Sequence, residues 1–162
     1  MDRLWTPWRY AYIAGADAKQ TGRGECVFCA IRDASDDASA YVLYRAEFNY
    51  IVLNIFPYVS GHLMIVPYEH VADLDAAPKA TTDEMMDLAK RCQSVLRDAY
   101  QPHGFNLGMN LGRAAGAGVA GHIHLHVMPR WTGDANFMTT VGETRVIPED
   151  LATTYAKLRG RF

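Results

Sequence analysis

The sequence predicts an α+β fold: an antiparallel five-stranded meander sheet with one long helix and a shorter C-terminal helix. Short runs rich in β-branched and aromatic residues alternate with turn residues in two separate parts of the chain. A long segment with helical spacing of its apolar residues lies between these two parts. With 162 residues and 49% hydrophobic content, the chain is long enough for one domain with a substantial core.

The first three strands are predicted between Tyr41 and Pro67. This stretch is dense in Val, Ile, Leu, Tyr and Phe, and it is interrupted at 46–47 and at 57–61. Short interruptions of this kind are typical of tight connections between neighbouring antiparallel strands. The region is therefore predicted to begin an antiparallel meander.

The long helix is predicted from about Thr82 to Ala99. Thr81 and Glu84 have the spacing of a capping box, and Pro102 ends the segment because proline cannot continue a helix. Apolar residues recur along one face at intervals of three and four, at Met85, Leu88, Ala89, Cys92, Val95 and Leu96. Cys92 is therefore predicted to be an unreactive core residue.

The last two strands are predicted at 105–110 and 122–128, on either side of a glycine-rich segment at 112–121. A second helix is predicted from Pro148 to Leu158. The strands at 105–110 and 122–128 bring the predicted number of strands to five.

The chain as a whole is predicted to be one cytoplasmic domain over 1–162, with an N-terminal arm at 1–24 and a C-terminal tail and helix at 132–162. Its 16 basic and 18 acidic residues give a formal net charge of -2 and form no long run of one sign. This distribution argues against a nucleic-acid surface or a polybasic membrane anchor, but it allows a small phosphate-rich ligand. No segment of the sequence approaches the length of a membrane span.

Three histidines alternate with apolar residues in the segment HIHLHV at 122–127. A strand points successive side chains to opposite faces, so His122, His124 and His126 are expected on one face. A solvent-facing polar stripe readily explains one such histidine, but three in alternation indicate a shared site. Binding of one metal ion by all three and attack by one of them on a phosphate are both compatible with this pattern.

The glycine-rich segment at 112–121 directly precedes these histidines and holds four of the thirteen glycines. Glycines permit close approach of a ligand and allow backbone N–H groups to converge on an anion. An ordinary long hairpin connection would have the same composition. Beside an imidazole nucleophile, however, such donors would stabilise the charge that develops on phosphate oxygens. Loop and strand together therefore offer the parts of a phosphate site.

Cys26 and Cys29 are separated by two residues, a spacing typical of one half of a tetrahedral zinc site. Such a half-site needs two more ligands, and no second cysteine pair is present. His70, just beyond a predicted strand, and His122 are the candidates. Four protein ligands would leave no open coordination position, so this zinc ion would be structural. The alternative is a pair of ordinary reduced cysteines near a turn.

These motifs resemble the histidine-triad (HIT) superfamily. GHIHLHVMPRW at 121–131 resembles its signature, and IVLNIFPYVSGHLMIVPYEH at 51–70 resembles its second segment. RLWTPWRYAYI at 3–13 and PRWTGDANF at 129–137 resemble the bacterial, zinc-containing diadenosine-polyphosphate phosphorylase branch. The resemblance implies a homodimer whose two sheets join across the interface. It also implies that the protein binds purine nucleotides and transfers or hydrolyses nucleotidyl groups.

The resemblance also implies roles for individual residues. His124 is the expected nucleophile that forms a nucleotidyl-histidine intermediate, His126 contacts the transferred phosphate, and His62 supports the imidazole from a neighbouring strand. Asn54 corresponds to a ribose-binding position and Asn110 to an amide that contacts the phosphate. The loop donors correspond to Gly116, Ala117 and Gly118, the base pocket to Phe28, Ile31, Val52 and Met64, and the zinc ligands to Cys26, Cys29, His70 and His122.

The glycine-rich loop departs from the resembled pattern, because relatives often carry a hydroxyl residue where this chain has only Gly and Ala followed by Val119. The expected activity is cleavage of dinucleoside polyphosphates, either by phosphorolysis or by hydrolysis. The N-terminal and PRW segments favour phosphorolysis, and the missing hydroxyl weakens that preference. A nucleotide-binding module with little turnover is the alternative. A metallohydrolase with three histidines on a catalytic metal is a third possibility.

Overall fold

The computed structural model describes residues 26–136, 139 and 147–162. The strands are β1 Val42–Arg45, β2 Asn49–Leu53, β3 Leu63–Pro67, β4 Gly104–Gly108 and β5 Leu125–Arg130. The helices are α1 Val27–Arg32, α2 Lys79–Tyr100 and α3 Leu151–Leu158, with short 3₁₀ turns at Leu74–Ala76 and Arg113–Ala115. The predicted α+β class, with five antiparallel strands, a long helix and a shorter C-terminal helix, is confirmed. The predicted N-terminal arm at 1–24 lies outside the described residues.

The strand order is β1-β2-β3-β5-β4, and all neighbouring pairs are antiparallel. The first three strands form the predicted meander, but the complete sheet is not a simple meander. The α2 helix carries the chain across to β4 at the far edge, and β5 then returns between β4 and β3. As a result His126 in β5 lies opposite Met64 in β3.

Two apolar clusters cover the two faces of the sheet. One cluster lies under α2 and contains Ile51, Leu53, Leu63, Ile65, Leu88, Cys92, Leu96, Leu125 and Val127. The other lies under α1 and contains Phe28, Val42, Tyr50, Val52, Met64 and Val66. Alternate residues of β2 and β3 thus enter different clusters, which explains why both strands are buried along their whole length. Cys92 belongs to the α2 cluster, and burial raises the pKa of its thiol to about 12, as expected of an unreactive core residue.

The α2 helix begins at Lys79, three residues before the predicted start, with Pro78 at the N-cap position. The predicted capping box is wrong, because Thr81 lies inside the helix and no side chain caps its first turn. The Glu84 carboxylate instead accepts hydrogen bonds from the backbone of the β1–β2 turn. At the other end, Gln101 adopts the left-handed conformation with φ 48°, and the helix stops before Pro102.

The strand β5 begins at Leu125, three residues later than predicted, so His122 and His124 precede it. Pro67, at the end of β3, lacks a backbone N–H and cannot extend the ladder. Ile123 donates its N–H to the Val71 carbonyl instead, at 2.8 Å. β4 likewise ends at Gly108 rather than at Asn110.

None of the described helices combines the length and the hydropathy needed to span a lipid bilayer.

Candidate functional site

Four side chains that were predicted to bind metal converge beside the first turn of α1: Cys26, Cys29, His70 and His122. Their ligand atoms all lie within 4.8 Å of one another. Sγ of Cys29 is 3.2 Å from Nδ1 of His70, and Sγ of Cys26 is 3.4 Å from Nδ1 of His122. Sulfur and nitrogen ligands of a tetrahedral zinc ion are about 3.5 Å apart, given the usual bond lengths. The donor types and their spacing therefore fit zinc, in a set that leaves no position for a substrate.

The orientation of His122 suits metal binding. Its Nε2 is 2.9 Å from the carbonyl oxygen of Pro67. A carbonyl can only accept, so Nε2 carries the proton and the lone pair of Nδ1 faces the cysteines. Burial lowers the pKa of His122 and outweighs the opposing effect of the hydrogen bond to Pro67. The lowered pKa keeps the ring neutral.

His124 has the opposite orientation, with Nδ1 held by the backbone. Its Nδ1 lies 3.0 Å from the carbonyl oxygen of His122, so this nitrogen carries the proton. Nε2 is then left with an available lone pair. Burial lowers the pKa of His124, which keeps that lone pair unprotonated at neutral pH. A neutral imidazole with its second proton fixed is the form that nucleophilic attack requires.

His62 and His126 form a hydrogen-bonded pair, with His62 Nε2 at 2.9 Å from His126 Nδ1. The backbone N–H of Tyr58 donates to His62 Nδ1 at 3.2 Å, which makes that nitrogen an acceptor. Nε2 of His62 must therefore carry a proton and donate it to His126. The proton of His126 then sits on Nε2, where it can be donated to a ligand. Burial, followed by the neighbouring His124, lowers the pKa of His126 to about 4, so this donor is a neutral ring.

A row of ring contacts connects the metal ligands to this pair. The Phe28 ring, located between the two cysteines in sequence, has its centroid 5.5 Å from that of His122 and 4.8 Å from that of His124. The rings of His124 and His126 are 4.9 Å apart. Tyr58 completes the row at 6.1 Å from His126. The three histidines thus line one site but do not share one metal, because His122 faces the cysteines while His126 pairs with His62.

The residues predicted to contact the nucleotide differ in how accessible they are to a ligand. Asn54 is buried, its Oδ1 accepts the N–H of Phe56 at 2.9 Å, and its Nδ2 lies 3.4 Å from His62 Nδ1. Asn110 is half-buried just beyond β4. The four apolar residues proposed for a base pocket, Phe28, Ile31, Val52 and Met64, do cluster under α1. Val52 and Met64 are buried, however, and only Ile31 is substantially accessible.

The glycine-rich loop uses two of its three predicted phosphate donors internally. Gly116 donates its N–H to the carbonyl of Arg113 at 2.9 Å, and Ala117 donates to that of Gly112 at 3.4 Å. Gly112 and Gly116 have φ of 76° and 89°, which explains why glycine occupies both positions. Gly118 is exposed in the same loop. In this conformation the N–H groups of Gly116 and Ala117 bond within the loop, and their role as phosphate donors stays a prediction.

Four contributors to the site were not predicted: the carbonyls of Pro67 and His122, the Tyr58 backbone N–H and the contact of the Phe28 ring with His124. The backbone groups leave no signal in a sequence. The aromatic residue inside the Cys26–Cys29 segment was a usable signal, since a structural metal site fixes the direction of the side chains between its ligands.

Fold and site together define the class of the protein. The three histidines lie at the start of β5, beside a Cys2His2 cluster and a glycine-rich loop. This is the arrangement of a zinc-type histidine-triad protein. The HIT domain family model matches residues 35–133, and the chain belongs to this family.

The chain is 41% identical to AP-4-A phosphorylase of Mycobacterium tuberculosis over 158 residues, which cover 95% of this chain and 80% of that protein. A Zn-bound histidine triad family protein from Mycobacterium smegmatis superimposes with a TM-score of 0.68 at 34% identity, covering 85% of this chain and 92% of that one. A hypothetical histidine triad nucleotide-binding protein from Sulfolobus tokodaii gives 0.66 at 27% identity, covering 84% and 91%.

Proposed function

We propose that this protein is an enzyme that cleaves dinucleoside polyphosphates through a nucleotidyl intermediate on His124. The observation that carries the proposal is the contact between His124 Nδ1 and the His122 carbonyl, which leaves Nε2 as a neutral nucleophile. The identity of 41% with a mycobacterial AP-4-A phosphorylase supports the substrate class.

In the first step, Nε2 of His124 attacks the α-phosphorus of one nucleotide. A P–N bond forms, the bond to the bridging oxygen breaks, and the remaining nucleoside polyphosphate leaves with that oxygen. Nε2–H of His126 donates to the transferred phosphate, and His62 holds His126 in the donating tautomer. Both rings are neutral, so the donor and the nucleophile can coexist at neutral pH.

In the second step an acceptor attacks the same phosphorus, the P–N bond breaks, and His124 is regenerated. Inorganic phosphate as acceptor yields a nucleoside diphosphate, and water yields a monophosphate. We favour phosphorolysis because the similarity to the phosphorylase covers 95% of the chain.

We assign the metal site a structural role. Cys26, Cys29, His70 and His122 would hold zinc, which supplies a cross-link between α1 and the segment before β5 but no coordination position for a reactant. Two contacts connect this cross-link to His124, the proposed nucleophile. His122 offers its carbonyl to His124, and Phe28 packs against the same ring.

For the nucleotide we propose that the purine base lies against Ile31 and the exposed edge of the cluster formed with Phe28, Val52 and Met64. Asn54 would contact the ribose. The phosphates would lie between Asn110 and the loop at 116–118.

We further propose that residues 1–162 form one domain and that two copies form a homodimer in the cytoplasm. Among the described strands, β4 is an edge that pairs only with β5, and Leu107 within β4 is 40% exposed. An unpaired edge with an exposed apolar residue favours strand-to-strand association. Reduced cysteines, which zinc binding requires, are typical of the cytoplasm.

The test is to incubate the protein with diadenosine tetraphosphate, with and without inorganic phosphate. Phosphorolysis predicts that ADP forms only when phosphate is present. Failure of ADP to form after phosphate is added would contradict this reaction. The His124→Asn variant should lose turnover yet still bind a mononucleotide, whereas the exposed His103→Asn control should retain both. A module that only binds nucleotides would instead show no turnover in the unmodified protein.

A further inference from the structure

The two cysteines of the metal cluster also form a dithiol that a peroxide can oxidise. Cys26 directly precedes α1, Cys29 is its third residue, and their Sγ atoms lie within 4.8 Å of each other. We propose that this pair is an oxidative modification site, at which a peroxide forms a Cys26–Cys29 disulfide and the cluster loses its zinc. The disulfide is independent of the proposed function, whereas its effect on turnover rests on that function.

The cluster is open to solvent on one side. Both cysteines are half-buried, and His70, whose Nδ1 is 3.2 Å from Sγ of Cys29, is exposed. On the inner side lies His122, which is fully buried. A small oxidant can therefore reach Cys29 from the side of His70. Cys92, the third cysteine of the chain, is fully buried in the cluster under α2 and is closed to such an oxidant.

The backbone holds the two cysteines at a separation that a disulfide can bridge. Ala30 donates its N–H to the Cys26 carbonyl at 2.9 Å, so both cysteines belong to one hydrogen-bonded turn. Residues three apart in such a turn are about 5–6 Å apart, and disulfides join residues whose Cα atoms are roughly 4.4–6.8 Å apart. The Phe28 carbonyl accepts the Tyr50 hydroxyl at 2.8 Å, which anchors the turn while the two side chains rotate.

The oxidation takes two steps, with hydrogen peroxide as the oxidant. Metal binding keeps both cysteines as thiolates, the form that reacts with peroxides. Sγ of Cys29 attacks one peroxide oxygen, the O–O bond breaks, hydroxide departs, and Cys29 becomes a sulfenic acid. Sγ of Cys26 then attacks this sulfur, the S–S bond forms, the S–O bond breaks, and a second hydroxide departs. Two electrons pass from the cysteines to the peroxide, and two protons from solvent turn the hydroxides into water.

The disulfide removes two of the four metal ligands and strands a third. His70 and His122 alone do not complete a tetrahedral zinc site. Nε2–H of His122 is already donated to the Pro67 carbonyl, so its Nδ1 needs a partner of its own. The sulfurs of Cys26 and Cys29 lie 3.4 and 3.7 Å from this Nδ1, and disulfide sulfurs have no proton to donate to it. A buried acceptor left unpaired destabilises the position of His122.

This change reaches His124 through two contacts. The His122 carbonyl lies 3.0 Å from Nδ1 of His124, and the Phe28 ring packs against both imidazoles. A displaced His122 weakens the contact that fixes the proton of His124 on Nδ1. We therefore expect kcat to fall by about tenfold on oxidation, the effect of one lost hydrogen bond.

The experiment treats the zinc-loaded protein with a small excess of hydrogen peroxide. We expect one zinc ion to be released per chain, measured with a chromogenic chelator. We also expect the tryptic peptide 24–32, which contains both cysteines, to become lighter by two hydrogen atoms. Dithiothreitol with added zinc should restore the mass and the metal content.

Two variants separate the proposed steps. Cys26→Ser should stop at the sulfenic acid on Cys29, which dimedone traps as an adduct. Cys92→Ala, the matched control, should release zinc and form the disulfide as the parent does. Retention of zinc and both thiols in the parent, or release of zinc without a disulfide in peptide 24–32, would overturn the proposal.

Turnover of diadenosine tetraphosphate before and after oxidation tests the connection to His124. The fall in kcat should be reversed by dithiothreitol with zinc, and an unchanged kcat in fully oxidised protein would overturn this connection. Absence of turnover in the untreated protein would contradict the proposed function instead. The disulfide and zinc measurements would then still decide whether Cys26 and Cys29 are a modification site.

Discussion

Two backbone groups determine the proton positions in the histidine site. The His122 carbonyl can only accept and the Tyr58 N–H can only donate, so together they set the tautomers of His124, His62 and His126. The result is one ring with a free Nε2 lone pair beside another with a free Nε2–H. A nucleophile and a donor of this kind can act on one phosphorus and its oxygens without any charged imidazole.

The His62→Ala variant tests the pairing. Removing the His62 donor leaves the buried Nδ1 of His126 unpaired, which permits the other tautomer and removes the hydrogen bond to the phosphate. We expect kcat to fall by about tenfold or more, while binding of a mononucleotide changes little. His62→Gln, which keeps a donor, should lose less activity. Steady-state kinetics measure both, and an unchanged kcat in His62→Ala would contradict the assigned tautomers.

At the scale of elements, Glu84 connects α2 to the turn between β1 and β2. Its carboxylate accepts the N–H groups of Glu47 and Phe48, each at 2.9 Å, and the side-chain amide of Asn49 at 2.8 Å. We expect Glu84→Ala to lower the free energy of unfolding by about 2–4 kcal/mol, because charged hydrogen bonds are lost and their donors are left unpaired. Asp83→Ala, which removes an exposed ion pair with Lys79, should change it by less than about 1 kcal/mol. Urea denaturation measures the free energy of unfolding of each variant. Equal losses in the two variants would show that the hydrogen bonds of Glu84 to the β1–β2 turn do not stabilise the fold.

The C-terminal helix depends on a second carboxylate, Glu149. It accepts hydrogen bonds from Tyr100 in α2 at 2.5 Å and from Thr154 in α3 at 2.8 Å, and it also pairs with Lys157. Burial alone would raise the pKa of Glu149, but the hydrogen bonds from Lys157, Tyr100 and Thr154 outweigh it and lower the pKa below its ordinary 4.5.

The sign of the resulting pH dependence follows from this lowered pKa. The ionised form stabilises the fold, so its contribution is complete above the ordinary pKa and is lost as the pH falls through the folded-state value. The difference in unfolding free energy between the unmodified protein and Glu149→Gln should be constant from pH 7 to about pH 5 and should shrink below it. The exposed Asp98→Asn serves as control. A difference that grows as the solution is acidified would contradict the assignment.

At the scale of the whole molecule, the proposed homodimer predicts a specific defect. A charge on the exposed edge strand should block association, so Leu107→Lys should be a monomer in sedimentation experiments. Met86→Lys replaces another exposed apolar residue, on α2, and should remain dimeric. An unmodified protein that sediments as a monomer would exclude the dimer.

Local patterns predicted the class of the fold and the metal cluster. Three-and-four spacing located α2, alternation placed the histidines on one face, and the Cys26–Cys29 spacing together with two histidines identified the cluster. Each of these signals depends on residues close in sequence or on a small number of possible ligands. For this reason a single sequence was sufficient to predict the fold class and the residues of the metal cluster.

Contacts between distant segments were not predictable in the same way. Glu84 matched a capping box, yet a turn about 36 residues upstream competes for its carboxylate. β5 starts late because its partner strand ends in Pro67, and strand order depends on where α2 returns the chain. One local feature was also missed, because the composition of the glycine-rich loop does not show that a 3₁₀ turn engages the N–H groups of Gly116 and Ala117 within the loop.

The central claim is that His124 carries the nucleotide between the two steps. The most direct measurement is rapid quenching of the protein with diadenosine tetraphosphate in the absence of phosphate, followed by peptide mass spectrometry at alkaline pH, where phosphorus–nitrogen bonds survive. The account predicts one adenylyl group on the peptide containing His124, formed at least as fast as product and discharged to ADP when phosphate is added. Product formation without any labelled peptide, or with the label on another residue, would contradict it.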